Sequence, residues 1–375
     1  MFNFLKKFKD KIALNLGFFF LKNIGSRVKK YKYLSYDAGW LLGVIKNSYL
    51  SIHLRPKKSE DFKFNRSNYI DNNSSNIGII IQGPLSVNGD YGEFVYETIK
   101  IYKKIYPNIM IVLSTWELDE KNLQKLNELE IKIIQNKEPK NKRFGSVRNT
   151  DRQILTTFSA LKFLSEKNIT YCLKTRTDWR IYKPQIHLYL KNLIDIFPSK
   201  SKLMNGRIIV SSMMTSKFRV YGIADTLQFG FTKDLLKFWD DELFLDSIER
   251  LSFGSYPSVI NNTPIISDVF LCARYLKAIN HKLNWTLEDW WICLSRYFCV
   301  IDADSLDLLW TKYEDWFYEK RYYRSYDSNS ARMLEFSEWI NLYSDSENTI
   351  LNWKDLGYQE KWQIEDGKLK FDKFL

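Results

Sequence analysis

The heptapeptide Lys174-Thr-Arg-Thr-Asp-Trp-Arg180 sets three cations and one carboxylate at alternate positions. In an extended strand, residues two apart share a face, which predicts that Lys174, Arg176, Asp178 and Arg180 stand together. Four charges on one side of a core strand are costly to desolvate unless they meet one another or a charged ligand. A phosphate-bearing ligand with a divalent ion satisfies them: guanidinium forks bind phosphate oxygens, and Asp178 can hold Mg²⁺ or Mn²⁺. A solvated strand end with internal ion pairs is the plainer reading of the same pattern.

Two other segments point to an anion or a nucleotide. Asn149-x-x-Arg152-Gln153 opens a run of helical spacing directly after a basic stretch, and a helix start beside Arg and Asn is suited to an anion. A capped surface helix is the alternative there. Gln82-Gly83-Pro84 ends an apolar run, and its glycine lets a base or ribose approach the backbone. G-x-G-x-x-G and G-x-x-x-x-G-K-[ST] are both missing, so dinucleotide and P-loop nucleotide binding are unsupported. Proton transfer needs a carboxylate, and the candidates are Asp225 in A-D-T-L-Q-F-G, Asp268 in I-I-S-D-V-F-L, and Glu288 or Asp289 in L-E-D-W-W. Asp268 also reads as a helix N-cap. Gln228 and Trp290 are further candidate ligand contacts, with Trp291 beside them. Aromatic residues make up 16% of the chain, so core packing is the ordinary role of any one Trp.

These residues need a scaffold, and the hydropathy pattern supplies one. Continuous apolar runs at 77–85, 108–116, 131–136 and 170–179 alternate with helical spacing at 91–106, 119–128 and 149–167. Such alternation predicts an α/β fold with a mostly parallel sheet covered by helices. Ligands of such sheets sit beyond the carboxyl ends of the strands. Those ends carry Gln82, Gly83 and Pro84, then Ser114, Thr115 and Trp116, then Lys174, Arg176 and Asp178. Further strands are expected at 207–214 and 227–231, with helical stretches at 235–244, 266–276 and 288–297. Three regions follow: a basic segment and linker at 1–70, the α/β domain at 71–304, and an aromatic-rich extension at 305–375.

Charge is uneven. Of 56 basic and 44 acidic residues, 15 and 4 lie in positions 1–70, leaving a nearly neutral remainder of 41 and 40. A basic stripe on the folded body, which nucleic-acid binding requires, is therefore not expected. Phe4, Phe8, Ile12, Leu16, Phe19 and Phe20 recur at helical spacing opposite lysines, and the longest nearly apolar stretch covers ten residues, 12–21. Crossing a bilayer takes roughly 20. The segment is expected to lie on a membrane surface; a helix packed on the body and a secretion signal are the competing readings. Cys172, Cys272, Cys293 and Cys299 show no C-x-x-C spacing, and none of His53, His187 and His281 is paired at metal-ligand spacing. Neither a zinc site nor a disulfide framework is expected, and a reducing cytoplasm is the default compartment.

Taken in order, I-Q-G-P, L-S-T-W, N-x-x-R-Q and L-K-T-R-T-D-x-R resemble the WavE-type lipopolysaccharide synthesis family over about residues 77–300. Its members are similar to glycosyltransferases of the GT-A fold that build bacterial surface polysaccharide. The resemblance implies a nucleotide-sugar donor contacted by Gln82, Gly83, Ser114 and Thr115, with Asn149, Arg152, Arg176 and Asp178 facing the diphosphate and donor sugar. It also implies a glycolipid or oligosaccharide acceptor, and an acidic residue at a helix start beneath it, which Asp268 matches best. The chain departs from the GT-A Asp-x-Asp metal pair, having Arg176-Thr177-Asp178. Two consequences are open: a weakened metal site, or Arg176 itself neutralising the departing diphosphate. The leading expectation is a glycosyltransferase on the inner face of the cytoplasmic membrane, and the second is a non-catalytic scaffold of polysaccharide assembly.

Overall fold

A computed structural model of the 375-residue chain describes residues 55–65, 76–86, 89–139, 149–217, 219–242, 267–311 and 333–345, and the backbone of 363–365 and 368–370. The chain divides into two compact units, Met1–Pro56 and Lys57–Leu375, and the second carries the strands and helices of the α/β domain. The membrane-surface reading falls on residues outside the described ones. Among the described residues, no helix is long and apolar enough to cross a membrane.

Strands β1 (Ile77–Gln82), β2 (Met110–Trp116), β3 (Lys132–Asn136) and β4 (Tyr171–Arg176) follow the apolar runs. Between them lie α1 (Glu93–Ile105), α2 (Glu120–Asn127) and α3 (Thr150–Glu166). The start of α2 is fixed locally, because the Asp119 side chain accepts the Asn122 N–H at 2.8 Å, an N-cap. The short β5 (Trp179–Ile181) leaves this layer, and α4 (Ile186–Ile196) returns the chain to β6 (Ile208–Ser211). β7 (Gln228–Phe231), α5 (Thr232–Trp239), α6 (Ser267–Ala278), α7 (Leu287–Tyr297) and β8 (Phe298–Ile301) complete the layers.

The main sheet has seven strands in the order β3-β2-β1-β4-β7-β6-β8. Four neighbouring pairs are parallel, and only β7 runs against its neighbours. The expected mostly parallel α/β sheet is therefore present. β1 is buried along its whole length, as a strand covered on both faces should be. Register brings Gln82 opposite both Ser114 and Arg176, so the polar strand ends meet at one edge. Because β7 is antiparallel, it begins there too, with Gln228 opposite Lys174 and with Asp225 and Thr226 just before it.

The alternation expected over 174–180 stops at Arg176. Residues 177 and 178 form a turn, and β5 then pairs with β9 (Leu308–Trp310) in a separate two-stranded sheet. Arg180 accordingly points away from the other three charges. It is buried, donates to the Thr98 hydroxyl at 2.8 Å and to the Lys57 and Phe94 carbonyls at 2.9 Å, and lies 4.2 Å from the Phe94 ring centroid. This cation ties β5 to α1 and to the start of the unit.

Residues 57–65, read in sequence as linker, pack on the same unit: the Ser59 N–H bonds the Glu97 carboxylate, and Phe62 lies against the core. The later residues join it as well. α8 (Phe336–Asp345) sets Trp339 against Phe197 in an edge-on contact at 5.1 Å, and the Trp339 indole N–H donates to the Leu294 carbonyl at 3.0 Å. A hairpin of β10 (Gln363–Glu365) and β11 (Lys368–Lys370) comes after it in the chain.

Gly83 shows how tightly the first strand end is built. Its φ is +129°, and an added Cβ would stand 2.7 Å from the Thr177 hydroxyl oxygen. Its N–H donates to the Ser114 carbonyl at 3.1 Å, while the Gln82 carbonyl accepts the Thr177 N–H at 3.0 Å. Gly83→Ala is expected to destabilise the protein by about 1–3 kcal/mol through backbone strain and overpacking. Urea unfolding checks it; an unchanged midpoint would show that the turn relaxes freely.

Candidate active site

A continuous line of charges crosses the carboxyl edge of the sheet. At its centre Lys174 is fully buried on β4, donates to the Asp225 carbonyl, and lies 4.6 Å from the Trp239 ring centroid. Burial pulls its amine down to about 7; the carboxylates of Asp225 and Asp178 work against that shift, and Arg176 adds to it.

On one side of Lys174, Arg176 forms a two-pronged pair with Asp178, Nε to Oδ1 and Nη2 to Oδ2, both at 2.7 Å. The Trp310 indole N–H donates to the same Oδ2 at 3.0 Å. Burial pushes the Asp178 carboxyl up, but the Arg176 charge and these hydrogen bonds outweigh it, leaving it below its ordinary value. Both oxygens of Asp178 are thus occupied, one by a guanidinium and the other by a guanidinium and an indole. That arrangement does not fit the expected Mg²⁺ or Mn²⁺ ligand: hard divalent ions want several oxygens, and here a cation already stands in their place. Asp178 and Trp310 instead orient the Arg176 guanidinium.

On the other side, Asp268 sits in the first turn of α6, buried, with Arg219 at 3.3 Å from its Oδ2. Burial raises its carboxyl to about 6; Arg219 lowers it and the Asp225 charge raises it further. Its Oδ1 has no hydrogen-bond partner among the described residues. α6 is held at this edge by a 2.7 Å hydroxyl contact between Ser267 and Thr150, which brings the starts of α3 and α6 together. Four of the other buried polar atoms without partners among the described residues lie at the strand ends or at the start of α3, the Thr115, Thr175 and Thr226 hydroxyls and Gln153 Oε1, while others, such as the Thr157 and Tyr275 hydroxyls, lie in the helices. Buried polar atoms are seldom left so, and a polar ligand at this edge would supply the bonds.

The remaining sequence candidates divide. Gln82 is buried, and its Oε1 accepts from the Thr156 hydroxyl at 2.9 Å, tying β1 to α3. Pro84 is exposed beside it. The Ser114 hydroxyl accepts from Asn136 at 2.9 Å, and the same amide braces the Thr115 carbonyl. Asn149, with φ of 66°, precedes α3 and accepts from Arg152 at 3.2 Å. Arg152 itself turns outward to Glu138 at 2.9 Å. Gln228 and Trp290 are corrected by burial: neither has surface to offer an acceptor. Gln228 accepts the Trp239 indole N–H at 2.6 Å, while Trp290 and Trp291 donate to the Ser216 and Lys217 carbonyls at 2.9 and 2.8 Å. They hold the segment that leads to Arg219 and Asp225.

Sequence reasoning missed Arg219 and Trp310, which neighbour no motif, and a second cluster in which His281 approaches Asp289 at 3.1 Å and Cys293 at 3.2 Å. The sequence shows no histidine paired with a cysteine at metal-ligand spacing, and the fold brings this pair together from twelve positions apart. The cluster's spacing, eight residues and then four, matches no familiar ligand pattern.

Comparison with known proteins bears on what this edge does. No curated protein matches the chain. Solved structures that are similar include a cytidylyltransferase of Leptospira borgpetersenii (11% identity, 44% of this chain and 63% of that one, TM-score 0.28). A protein described as a nucleotide-diphospho-sugar transferase of Desulfovibrio desulfuricans shows 7% identity over 55% and 77% of the two chains, TM-score 0.30. The 4-diphosphocytidyl-2C-methyl-D-erythritol synthase of Anaerococcus prevotii shows 17% identity over 46% and 79%, TM-score 0.27. The chain spans under two thirds of the Leptospira protein, and at these TM-scores the likeness bears no weight. The family comparison does: the model for WavE lipopolysaccharide synthesis matches residues 77–356, which take in every strand of the main sheet and the whole line of charges from Asp178 to Asp268. The chain belongs to the WavE lipopolysaccharide synthesis family.

Proposed function

We propose that the protein transfers a sugar from a nucleotide-sugar donor to a glycolipid or oligosaccharide acceptor of a growing bacterial surface glycan, such as lipopolysaccharide, lipooligosaccharide or capsule. The observation that supports this best is one buried line of charge with a fixed cation at one end and a proton acceptor at the other. Arg176, oriented by Asp178 and Trp310, presents a guanidinium for the donor diphosphate. Asp268, raised to about 6, holds a carboxylate suited to accept a proton near neutral pH.

In the step we assign, Asp268 takes the proton of the acceptor hydroxyl and that oxygen attacks the anomeric carbon. The bond to the nucleoside diphosphate breaks, and Arg176 stabilises the charge on the departing group. Asp225 lies between the two, positioned by its carbonyl contact with Lys174, and is assigned to the donor-sugar hydroxyls. Gln82, Gly83, Thr115 and Gln153 are assigned to the nucleotide side. A surface glycan acceptor is lipid-linked, and the basic, aromatic residues 1–34 would hold the enzyme at the inner face of the cytoplasmic membrane.

A thermal-shift screen of the full chain against UDP-, GDP-, CMP- and dTDP-sugars tests the donor assignment, because a ligand that binds the native state raises its melting temperature. One nucleotide class is expected to raise it without added Mn²⁺. No shift with any of them would contradict the proposal and favour the scaffold.

A further inference from the structure

Beneath the segment carrying Arg219 and Asp225, three unlike donors meet at one atom. His281 Nε2 lies 3.1 Å from Asp289 Oδ1 and 3.2 Å from Cys293 Sγ, and the ligand atoms of all three lie within 4.8 Å of one another. One ring nitrogen carries at most one proton, so it cannot both donate to Asp289 and accept from Cys293. A cation between the three would satisfy them together. Tetrahedral zinc, with bonds of about 2.0–2.3 Å, places its ligand atoms roughly 3.3–3.8 Å apart. The two separations from His281 Nε2, 3.1 and 3.2 Å, are within a few tenths of an ångström of that spacing.

The surroundings match a closed structural site. Asp289 and Cys293 are four residues apart on α7 and share a face, and the loop bearing His281 folds onto it. Asp289 Oδ2 accepts from the Tyr221 hydroxyl and from the Asn284 N–H at 3.2 Å, and both carboxylate oxygens face His281 Nε2, Oδ1 at 3.1 Å and Oδ2 at 3.3 Å. The other imidazole nitrogen, Nδ1, meets the Tyr297 hydroxyl at 3.1 Å, fixing the ring as outer-shell partners do for metal-bound histidines. Cys293 is completely buried, and Asp289 and His281 nearly so.

We propose that His281, Asp289 and Cys293 bind a structural zinc ion, with a water completing the shell. A thiolate and imidazole set selects zinc over Mg²⁺ and Mn²⁺, so this ion is distinct from any that would accompany a donor diphosphate. Its place is structural. Tyr221 stacks edge-on with Trp285 at 4.9 Å and with Trp290 at 6.0 Å, and the same tyrosine lies four residues before Asp225. Zinc would therefore brace the segment that positions Asp225 and Arg219, independently of which reaction they perform.

The test is metal analysis of the full chain purified without chelator, followed by cobalt replacement. Expected are close to one zinc per chain and, after chelation and addition of Co²⁺, a thiolate-to-cobalt charge-transfer band that Cys293→Ser abolishes. The melting temperature should fall on chelation and recover with Zn²⁺ but not with Mg²⁺. Zinc far below one per chain together with no such band in the wild type would overturn the proposal, as would a band of full intensity in Cys293→Ser. The wild-type result decides the matter even if the variant fails to fold.

Discussion

Asp268→Asn is expected to lose about 10²–10⁴ in transfer rate, the range that a positioned general base supplies, while becoming more stable at neutral pH. Both effects have one cause. Burial raises the folded carboxyl from 3.8 to about 6, so the folded state binds its proton more tightly than the unfolded state does. Stability from this group is fully present below about 3.8 and is lost as pH rises through 6. Above 6 the wild type bears the cost of a buried carboxylate that the amide does not have, on the order of 1–3 kcal/mol from the size of the shift. Thermal melts of the two proteins should converge in acid and separate above pH 6, with the variant higher. Rate against pH in the wild type should fall away on the acid side near 6. A variant that is both less stable at neutral pH and fully active would remove Asp268 from the chemistry and leave it a helix-start residue.

Arg176→Lys is expected to lower kcat/KM by about 10²–10³, the effect of removing one preorganised donor from a developing charge, although the charge is conserved. Lysine keeps the point charge but not the fork that Asp178 and the donor diphosphate would share. Asp178→Asn separates orientation from charge. It keeps an acceptor for the Trp310 indole and releases the guanidinium, so its loss should be smaller and appear mainly in the KM for the donor. If Asp178 held a catalytic metal, the order would reverse: Asp178→Asn would be the more damaging change, and added Mn²⁺ would partly restore it. Steady-state kinetics with varied donor distinguishes the two.

Much of the scaffold was legible in the sequence because buried parallel strands write themselves as unbroken apolar runs. The runs at 77–85 and 108–116 stand within three residues of the observed bounds of β1 and β2. The antiparallel direction of β7 was not legible, since a short strand such as Q-F-G-F carries no mark of which way it runs. The same difficulty affected the charges. Alternation correctly joined Lys174 and Arg176, but nothing in T-D-W-R announces that the strand stops at Arg176 and that Arg180 departs toward α1. Asp268 was readable as a carboxylate at a helix start. Its raised carboxyl was not, because it depends first on burial by the folded chain and then on the opposed charges of Arg219, which lowers it, and Asp225, which raises it, 49 and 43 positions away. Gln228 and Trp290 have the chemical type of sugar contacts, but type does not encode burial, and both are fully buried. The His281 cluster needs a loop, a helix and Tyr221 from a third segment, so it exists only in three dimensions.

A structural zinc would also change how chelation is read. Loss of activity on treatment with a chelator would then report the bracing of the Tyr221 segment rather than a metal on the diphosphate, and Mg²⁺ or Mn²⁺ would not reverse it.

The most direct measurement is transfer of labelled sugar from a panel of nucleotide donors onto lipopolysaccharide extracted from cells that lack this protein, with the wild type and Asp268→Asn compared and no divalent ion added. The account predicts that one donor's label moves to the glycan with the wild type and that Asp268→Asn removes this transfer while still binding the donor. No transfer from any donor with the wild type, or equal transfer by both proteins, would contradict it.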